Sequence, residues 1–366
     1  MGHVAITGGR GFLGWHTRAA LLESATAATS ISLGDAFDSA EATRSVDGAE
    51  RLIHIAGVNR GTDDEVREGN LLLARQTATA LRETPTPPPV VAFANSTQSL
   101  AGGVYGDAKA EASEILRVAA ADAGAAYVDV VLPNLFGEHG RPFYNAVTAT
   151  FAHRIAAGET PSVDNDKSLT LLHAQDAADI LTGVASASDL PALNNVATVS
   201  EVLEKMLVIA ETYRRGEIPD VARKFDRDLF NTYRSYVFPD QAPVRLTRHA
   251  DARGSFFEIV RSHGGPGQSS FSTTEPGISR GDHFHRRKIE RFTVLSGKAT
   301  ISLRKVFTDE VVEFEVTGDD PVAVDMPTMW SHKIVNTGAS TLFTSFWTND
   351  IFNPESPDTI AEAVSA

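Results

Sequence analysis

The chain of 366 residues contains no cysteine, so it forms no disulfide bond and offers no thiolate to a metal. It has no run rich in Lys and Arg that could follow a nucleic-acid backbone, and its formal net charge is -14. No segment approaches the roughly 20 apolar residues of a membrane-spanning helix, and no signal-like leader precedes the first predicted strand. These absences predict a cytoplasmic protein that binds neither nucleic acid nor membrane. They also restrict metal ligands to His, Asp and Glu.

The length and the hydrophobic content of 42% predict two packed domains rather than one. The pattern of predicted elements changes between Pro239 and Val244, where helices give way to short β-rich runs separated by Gly and Pro. We therefore expect an N-terminal domain over residues 1–243 and a C-terminal domain over residues 244–366.

The first half of the chain alternates β-rich runs with helical segments, which is typical of a doubly wound parallel sheet. Helices are predicted to dominate from Tyr144 to about Ser235 and to cover the substrate side of the sheet as a lid. One of them should begin at a capping box formed by Thr198 and Glu201. The predicted strands are Val4 to Thr7, Ser30 to Gly34, Arg51 to Ile55, Val90 to Ala94 and Tyr127 to Leu132.

The C-terminal half predicts a small antiparallel barrel or jelly roll. The tail after Pro354 is expected to be a strap or a frayed helix. The predicted strands are Ser255 to Val260, Arg291 to Leu295, Ala299 to Phe307, Val311 to Val316, Val322 to Val324 and Thr341 to Trp347.

A glycine-rich segment, Gly9-x-Gly11-x-x-Gly14, follows the first predicted strand and opens the first predicted helix. Glycines at these positions permit a tight turn and a close approach to a pyrophosphate, which the helix N-terminus attracts. Asp35 can accept hydrogen bonds from an adenosine ribose and would repel a 2'-phosphate, whereas Arg10 can hold that phosphate. The pattern therefore predicts a nicotinamide dinucleotide site and leaves the choice between NAD and NADP open.

A Tyr-x3-Lys pair, Tyr105 and Lys109, follows the fourth predicted strand and the hydroxyl-bearing residues Ser96 and Thr97. On a helix, residues four apart share one face. A lysine beside a tyrosine favours the phenolate, and the phenol can then deliver a proton to a carbonyl as hydride arrives. This spacing therefore indicates a carbonyl reductase site.

Near the other end, His283, His285 and Glu290 are followed by His332. Three imidazoles and a carboxylate are a ligand set for a divalent transition metal. If His283 and His285 lie on one strand, their side chains point to the same face. The residue types accept zinc, manganese, iron(II), nickel or copper, and zinc is our expectation because the proposed chemistry needs no redox change.

The N-terminal pattern resembles the extended short-chain dehydrogenase/reductase family over about residues 1–240. That resemblance implies that Tyr105 is the acid, Lys109 its ribose-bound partner and Ser96 the carbonyl donor, with Thr97 as the alternative. It also implies that Asn70 is structural, and that the substrate contacts include Asn134, in the segment Pro133 to Gly137. The family's usual arginine before that segment is missing, so Arg141 is the substitute candidate for a diphosphate contact. The implied dinucleotide contacts are Gly8, Arg10, Gly11, Phe12, Leu13, Gly14, Asp35, Ala56, Gly57 and Lys109.

The C-terminal pattern, Gly277-x5-His283-x-His285-x4-Glu290-x6-Gly297, resembles the first cupin motif, and His332 falls in the second. Met329 stands where the second motif usually has glycine. The order reductase then cupin is similar to the bifunctional capsular-polysaccharide or O-antigen enzymes of UDP-N-acetyl-L-fucosamine biosynthesis. That resemblance implies a homodimer that takes a UDP-4-keto-6-deoxy-N-acetylhexosamine, epimerises C3 in the cupin, and reduces C4 with NADPH. The product would be the UDP-linked N-acetyl-6-deoxy-talosamine.

Two other functions fit the same residues. In the first, the protein is a nucleotide-sugar reductase whose cupin binds metal only for stability or mediates dimerisation. In the second, the cupin is an iron-dependent dioxygenase fused to a reductase. The residue that moves the C3 proton is open, with Lys288 and a water molecule at the metal as candidates.

Overall fold

A computed structural model describes residues 2–365 of the chain. By the density of their internal contacts, the residues form two compact units. Unit 1 comprises the residues up to Leu135 together with Leu169–Val196, and unit 2 comprises Phe136–Ser168 and the residues from Ala197 onward. This division groups the helices of residues 199–237 with the C-terminal strands, whereas the sequence places them before a boundary at residue 243. That boundary between folding domains stays a prediction.

Unit 1 is built on a five-stranded parallel sheet in the order β2-β1-β3-β4-β5. Its strands are β1 (His3–Thr7), β2 (Ala27–Ile31), β3 (Arg51–His54), β4 (Val90–Ser96) and β5 (Ala126–Leu132). The helices that connect them are α1 (Phe12–Glu23), α2 (Ser39–Val46), α3 (Asp63–Glu83) and α4 (Val104–Asp122). The predicted doubly wound fold is confirmed.

Helices cover both faces of this sheet because successive strand residues point to opposite sides. Val4 and Ile6 pack with α1, whereas Ala5 between them packs on the side of α2, α3 and α4. Each face therefore buries its own apolar cluster. The second strand was predicted at residues 30–34 but lies at Ala27–Ile31, so the prediction was about three residues too late. Gly34, which has a φ of 75°, instead begins a 3₁₀ helix.

The middle of the chain contains the three-stranded sheet β6-β7-β8 and five helices. The Thr198–Glu201 capping box is present as predicted at the start of the helix Val199–Arg214. Among the described residues, no helix is long and apolar enough to cross a bilayer. The elements are β6 (Asn134–Phe136), α5 (Val147–Ala156), β7 (Ser168–His173), α6 (Ala174–Thr182), α7 (Leu190–Leu193), β8 (Asn195–Thr198), α8 (Val199–Arg214) and α9 (Lys224–Val237).

The C-terminal strands form two five-stranded antiparallel sheets, in the orders β12-β19-β14-β17-β9 and β16-β15-β18-β13-β20, beside a two-stranded hairpin β10-β11. Apolar side chains from both sheets share one core, including Val294, Ile301, Met326 and Ile334. The strands are β9 (Val244–Arg245), β10 (His249–Asp251), β11 (Gly254–Phe256), β12 (Gln268–Thr274), β13 (Ser279–Phe284), β14 (Glu290–Ser296), β15 (Lys298–Lys305), β16 (Val311–Thr317), β17 (Val322–Met326), β18 (Trp330–Asn336), β19 (Leu342–Thr348) and β20 (Ile360–Ala361).

The predicted all-β C-terminal architecture is confirmed, with differences in detail. The strand expected over residues 255–260 ends at Phe256, and β12, β13 and β18 were not predicted. These three strands mix Ser, Thr, Gly and His with few apolar residues, so their hydrophobic pattern is weak. The tail after Pro354 contains the strand β20 and no helix in the described residues, so it is a strap.

Candidate functional site

The glycine-rich loop of unit 1 connects β1 to α1 and can be built only with glycine at two positions. Gly8 has a φ of 69°, and a Cβ on it would lie 2.7 Å from the Ala56 nitrogen. A Cβ on Gly14 would lie 2.1 Å from the Gly8 carbonyl oxygen. Gly11 is the N-cap of α1 and has no side chain to occupy the helix N-terminus. The loop therefore presents the N-terminal amides of α1, which is the geometry that binds phosphate.

Gly11 and Gly14 allow stability to be separated from phosphate binding. Gly11 has a φ of -76°, and a Cβ on it would meet only the Gly8 oxygen at 3.4 Å. We expect Gly11→Ala to unfold like the wild type but to bind a nicotinamide dinucleotide about tenfold more weakly, because its methyl group blocks the approach of the pyrophosphate. Gly14→Ala should instead lose about 1–3 kcal/mol of stability through the clash. Chemical unfolding and cofactor fluorescence titration measure both, and unchanged affinity in Gly11→Ala would exclude this loop as the pyrophosphate site.

The end of β3 is tied to the end of β1 beside this loop. The Thr7 hydroxyl accepts hydrogen bonds from the Ile55 and Ala56 amides at 3.1 and 3.2 Å. Asn70 is buried, donates to the Val58 and Val66 carbonyls, and accepts from the Val58 amide at 3.2 Å. These bonds hold the segment that contains Ala56 and Gly57, two of the expected cofactor contacts.

Three charged side chains lie around the loop and the end of β2. Arg10 is exposed in the loop, and Asp35 is exposed on the 3₁₀ helix Gly34–Ala36. Arg18 on α1 lies close enough for its Cδ to be 3.4 Å from a Cβ built on Gly9. Burial, and then the charge of Arg10, lowers the pKa of Arg18. Arg18 was not singled out from the sequence. The one signal for it is its position on α1, about two helical turns after the glycine-rich loop.

The predicted reductase residues gather at the carboxyl end of β4. Ser96 ends that strand, and its Oγ accepts a hydrogen bond from the Gln98 amide at 3.2 Å. Tyr105 is half-buried in the first turn of α4, and Lys109 lies one turn further on. A Cβ on Gly106 would lie 2.2 Å from the Gln98 carbonyl oxygen, so this glycine lets α4 pack directly against the segment after Ser96. Thr97, the alternative to Ser96, is exposed.

Lys109 is buried, which is uncommon for a lysine. Its Nζ donates to the Ala94 carbonyl at 2.7 Å and lies 4.1 Å from the centre of the Phe93 ring. Burial lowers the pKa of Lys109 to about 7, and the Asp129 carboxylate partly opposes this effect. Its Nζ also lies 4.0 Å from a Cβ built on Gly57, so the lysine reaches the cofactor side of the sheet.

A buried histidine that the sequence did not single out lies near this lysine. The Nδ1 of His54 is 3.0 Å from the hydroxyls of Thr7 and Thr77. Burial, and then the charge of Lys109, lowers the pKa of His54 to about 3. The imidazole is therefore neutral at pH 7 and joins β1 to α3.

The two expected substrate residues lie on the surface. Asn134 is exposed at the start of β6, and its amide donates to the Thr170 carbonyl at 3.1 Å. Arg141 is exposed, and its guanidinium lies 4.8 Å from the centre of the Tyr144 ring. Asn134 belongs to unit 1 and Arg141 to unit 2.

The structure brings the four predicted metal ligands of unit 2 together. One ligand atom from each of His283, His285, Glu290 and His332 lies within 4.8 Å of the others. His283 is on β13, Glu290 starts β14 and His332 is on β18. His285 lies one residue beyond the end of β13, so the two histidines do not share one strand, but its ring centre is still 5.1 Å from that of His283.

The orientation of the imidazoles fits a metal ion. The Nδ1 of His285 lies 2.6 Å from the Asp358 carbonyl oxygen, and that of His332 lies 3.2 Å from the Trp330 carbonyl oxygen. Because carbonyls only accept, each Nδ1 carries the proton, and each Nε2 presents a lone pair. Both Nε2 atoms face Glu290 Oε2, at 3.0 and 3.1 Å. Acceptors this close together repel each other unless a cation neutralises them.

The charge states of the cluster agree with this interpretation. Burial raises the pKa of Glu290, but hydrogen bonds and positive charge from His285 and His332, which both require a proton on Nε2, outweigh it and hold this pKa well below its usual range. A bound cation would take the place of these two protons, which leave when the imidazoles become ligands. Burial, and then the nearby His332 and His285, lowers the pKa of His283 to about 3. An ionised carboxylate and a neutral imidazole are the forms that bind a metal.

The backbone around the cluster is unusual at two points. Gly281 has a φ of 119°, and a Cβ on it would lie 2.4 Å from the His332 carbonyl oxygen at a bulge between β13 and β18. Met329, which stands where the cupin motif that this segment resembles usually has glycine, has a φ of 65° and is fully buried. A non-glycine residue in this left-handed region costs about 1–2 kcal/mol. The Met329 amide donates to the His285 carbonyl at 2.8 Å, so this turn contacts a ligand residue directly.

A cavity of about 110 Å³ opens beside the cluster. Glu290 and Lys288 line it, together with polar residues from β12 and β19 that sequence reasoning missed: Gln268, Ser270 and Thr348. The exposed side chains of Ile351 and Phe352 form part of its rim.

The parallel sheet with its glycine-rich loop and its Tyr105–Lys109 pair defines the class of nicotinamide-dependent enzymes with a Rossmann-type domain. Comparison with known proteins gives the family. Residues 4–197 match the NAD dependent epimerase/dehydratase family, and residues 249–360 match the polysaccharide biosynthesis C-terminal domain. The chain belongs to the NAD dependent epimerase/dehydratase family, and its cofactor is a nicotinamide dinucleotide.

Similarity extends over nearly the whole chain in two relatives. The chain is 30% identical to a UDP-2-acetamido-2,6-beta-L-arabino-hexul-4-ose reductase of Pseudomonas aeruginosa, over 99% of this chain and 98% of that one. It is also 30% identical to the capsular polysaccharide assembling protein CapF of Staphylococcus aureus, whose crystal structure superposes with a TM-score of 0.62 and matches 99% of this chain and 100% of that one. The predicted resemblance to capsular-polysaccharide enzymes is therefore confirmed.

A more distant structure shares the fold. UDP-glucose 4-epimerase of Thermotoga maritima is 14% identical, with a TM-score of 0.52 over 64% of this chain and 98% of that one.

Proposed function

We propose that this enzyme epimerises C3 of a UDP-4-keto-6-deoxy-N-acetylhexosamine at the histidine cluster and reduces the C4 ketone of the product at Tyr105. The proposal is supported above all by one combination: the full-length relative is a reductase of a UDP-linked 4-keto sugar, and this chain brings together four potential metal ligands, a candidate cation site, in addition to its Tyr105–Lys109 pair. Reduction alone would not require the cation site. The product would be UDP-2-acetamido-2,6-dideoxy-L-talose.

Epimerisation needs help at the ketone oxygen. The C3 proton is acidic only if the negative charge that spreads onto the C4 oxygen is stabilised. A divalent ion held by His283, His285, Glu290 and His332 would supply positive charge there. We propose zinc, because three histidines and a carboxylate suit it and no redox change is needed. The sugar would enter the cavity beside Glu290, where Lys288 is a candidate to remove the C3 proton from one face. A proton from solvent would then reach C3 on the opposite face.

Reduction follows from the arrangement at β4. A nicotinamide dinucleotide bound at the glycine-rich loop would supply the hydride for C4. Tyr105 donates its phenolic proton to the carbonyl oxygen, Ser96 orients that oxygen, and charged Lys109 stabilises the phenolate that remains. We propose that Asn134 and Arg141 contact the UDP-sugar, and that Gly8, Gly11 and Gly14 admit the pyrophosphate with the backbone of Phe12 and Leu13. The homodimer stays a prediction.

We further propose NADPH as the preferred reductant. Two guanidiniums, those of Arg10 and Arg18, lie near the end of β2, where an adenosine ribose would bind. Arg18 and Ser30 of β2 both lie next to Gly9. Asp35 is exposed and would favour NADH, because its carboxylate repels a 2'-phosphate. We expect Arg10→Ala to raise the KM for NADPH about tenfold while that for NADH stays nearly constant, because only NADPH carries the 2'-phosphate. Equal changes for both nucleotides would contradict this assignment, and Arg44→Ala on α2 is the control.

The lowered pKa of Lys109 predicts that stability and kcat/KM change in opposite directions with pH. Its folded pKa of about 7 lies below the ordinary lysine value of 10.5, so the unfolded chain binds more protons between these pH values. Stability should therefore rise with pH across this window, from the contribution of this group. Reduction needs the charged lysine, so kcat/KM should fall as pH rises through about 7. Lys109→Arg should abolish this fall because guanidinium stays charged, whereas a wild-type profile that is flat to pH 9 would contradict the role of Lys109.

The proposed function is tested with the full-length enzyme and the keto sugar in D2O without nicotinamide. Deuterium at C3, detected by NMR, supports epimerisation at the cluster. No exchange, combined with normal reduction when NADPH is added, would leave a reductase with a structural cupin. Oxygen consumption would instead indicate a dioxygenase.

A further inference from the structure

We propose that the C-terminal strap, residues 354–365, is a positioning device for the metal ligands and that Asp358 is its key residue. This inference rests on the proposed metal site. The strap lies about 70 residues beyond His285 in sequence, yet it contacts both strands that carry histidine ligands.

The strap first extends the sheet at β13. Its strand β20 pairs antiparallel with the ligand strand, with Ala361 opposite His283 and Ile360 opposite Phe284. The Glu362 amide donates to the Asp282 carbonyl at 3.0 Å, and the Val364 amide donates to the Asp282 carboxylate at 2.9 Å. Asp282 has a φ of 58°, so these bonds stabilise a strained residue next to His283.

The Asp358 carboxylate holds the loop between His285 and Glu290. It accepts hydrogen bonds from three consecutive backbone amides, those of Arg286 at 3.0 Å, Arg287 at 2.8 Å and Lys288 at 2.7 Å. Successive amides that converge on one anion form a nest. Because the Asp358 side chain is only 7% exposed, water has little access to these bonds, and the loop depends on the charge of Asp358. The Arg287 guanidinium also contacts this carboxylate, at 3.4 Å.

The backbone of the same residue fixes the tautomer of His285. The Asp358 carbonyl accepts the Nδ1 proton at 2.6 Å, which directs the Nε2 lone pair towards Glu290. Asp358 has a φ of 44°, a conformation that Asp and Asn tolerate better than most residues. One residue therefore holds the ligand ring through its carbonyl and the following loop through its side chain.

The strap also reaches the strand of the third histidine. Ser331, the residue immediately before His332, donates a hydrogen bond from its hydroxyl to the Glu362 carbonyl. Arg304, on the neighbouring strand β15, donates to the Glu362 carboxylate at 2.5 Å and to the Ala363 carbonyl at 2.6 Å. β13 and β18 pair directly, with His283 opposite His332, and the strap adds a second set of contacts to both strands.

The loop has other anchors that do not belong to the strap. The Asn231 amide donates to the Arg287 carbonyl at 3.0 Å, and the Ile289 amide donates to the Asn349 side chain at 2.7 Å. These bonds should keep the loop folded when Asp358 is changed. A variant can therefore lose the alignment of the ligands without losing the fold.

The test is zinc affinity of the full-length Asp358→Asn variant, measured by competition with a fluorescent chelator. Asparagine tolerates the same backbone conformation and keeps the carbonyl to His285, but its amide group offers one acceptor oxygen and presents N–H donors to the nest. We expect zinc affinity to fall about 10- to 100-fold, as for other residues that orient metal ligands. The Co²⁺ form should show a changed visible absorption spectrum. Glu355→Gln, the same charge change at an exposed position of the strap, should leave both readouts as in the wild type.

The outcomes separate the inference from the proposed metal site. A wild type that binds no zinc overturns both. A wild type that binds zinc, with Asp358→Asn equal to it in affinity and spectrum, overturns the positioning role alone. Should Asp358→Asn not fold, hydrogen exchange in the wild type decides, because coupling between two events is reciprocal. Zinc should slow amide exchange of residues 358–364, and unchanged exchange would overturn the inference.

Discussion

Tyr105→Phe should lower NADPH oxidation by the full-length enzyme about 10³-fold, since the phenolic proton for the ketone oxygen is lost. The same variant should still exchange the C3 proton of the keto sugar with D2O at the wild-type rate. The reason is that the phenol belongs to unit 1, whereas the histidine cluster belongs to unit 2. A stopped-flow trace at 340 nm and an NMR exchange series measure the two steps.

The matched control is Tyr127→Phe, which removes a hydroxyl from a half-buried tyrosine of unit 1 that lies 2.9 Å from the Ser113 hydroxyl and is not part of the proposed reductase site. Both steps should continue in that variant. Loss of C3 exchange in Tyr105→Phe would contradict the account, because it would show that the two sites are not separable.

His283→Ala should remove bound metal and C3 exchange together. His283 is the least buried of the four ligands, so its loss opens the site to water with the smallest effect on the core. The three remaining side chains should bind zinc at least about tenfold more weakly, and exchange should fall to the background rate. Elemental analysis of the purified protein and the D2O experiment measure the two effects.

Reduction at C4 should survive this change when the substrate already has the epimerised C3 configuration. His249→Ala, at an exposed histidine of the same unit, is the control and should behave as the wild type. Full exchange by metal-free His283→Ala would refute the role of the cation.

Much of the fold was predictable because its signals are local. The hydrophobic runs of β1, β3, β4 and β5 lie between helices of ordinary length, and the glycine-rich loop falls between a strand and a helix, the context in which this spacing is informative. The end of β2 was misplaced because Ser32 and Leu33 continue the strand-like pattern, whereas the turn at Gly34 decides where the strand stops.

The candidate sites were predictable where one motif contains the ligands. His283, His285, Glu290 and His332 were named from spacing, and the structure brings their ligand atoms together. The residues that orient these ligands could not be named from the sequence. Asp358, for example, accepts a hydrogen bond from the Arg286 amide although the two residues are 72 positions apart. Arg18 was missed for a related reason: its closeness to Arg10 depends on the turn of the loop.

One isotope experiment tests the central claim, that a single ketone is handled at two sites of this chain. The wild-type enzyme is incubated with the UDP-linked 4-keto sugar and unlabelled NADPH in D2O, and the product is analysed by NMR. The account predicts deuterium at C3, from the solvent, and hydrogen at C4, from the nicotinamide. A reduced product that keeps hydrogen at C3 with the original configuration would contradict it.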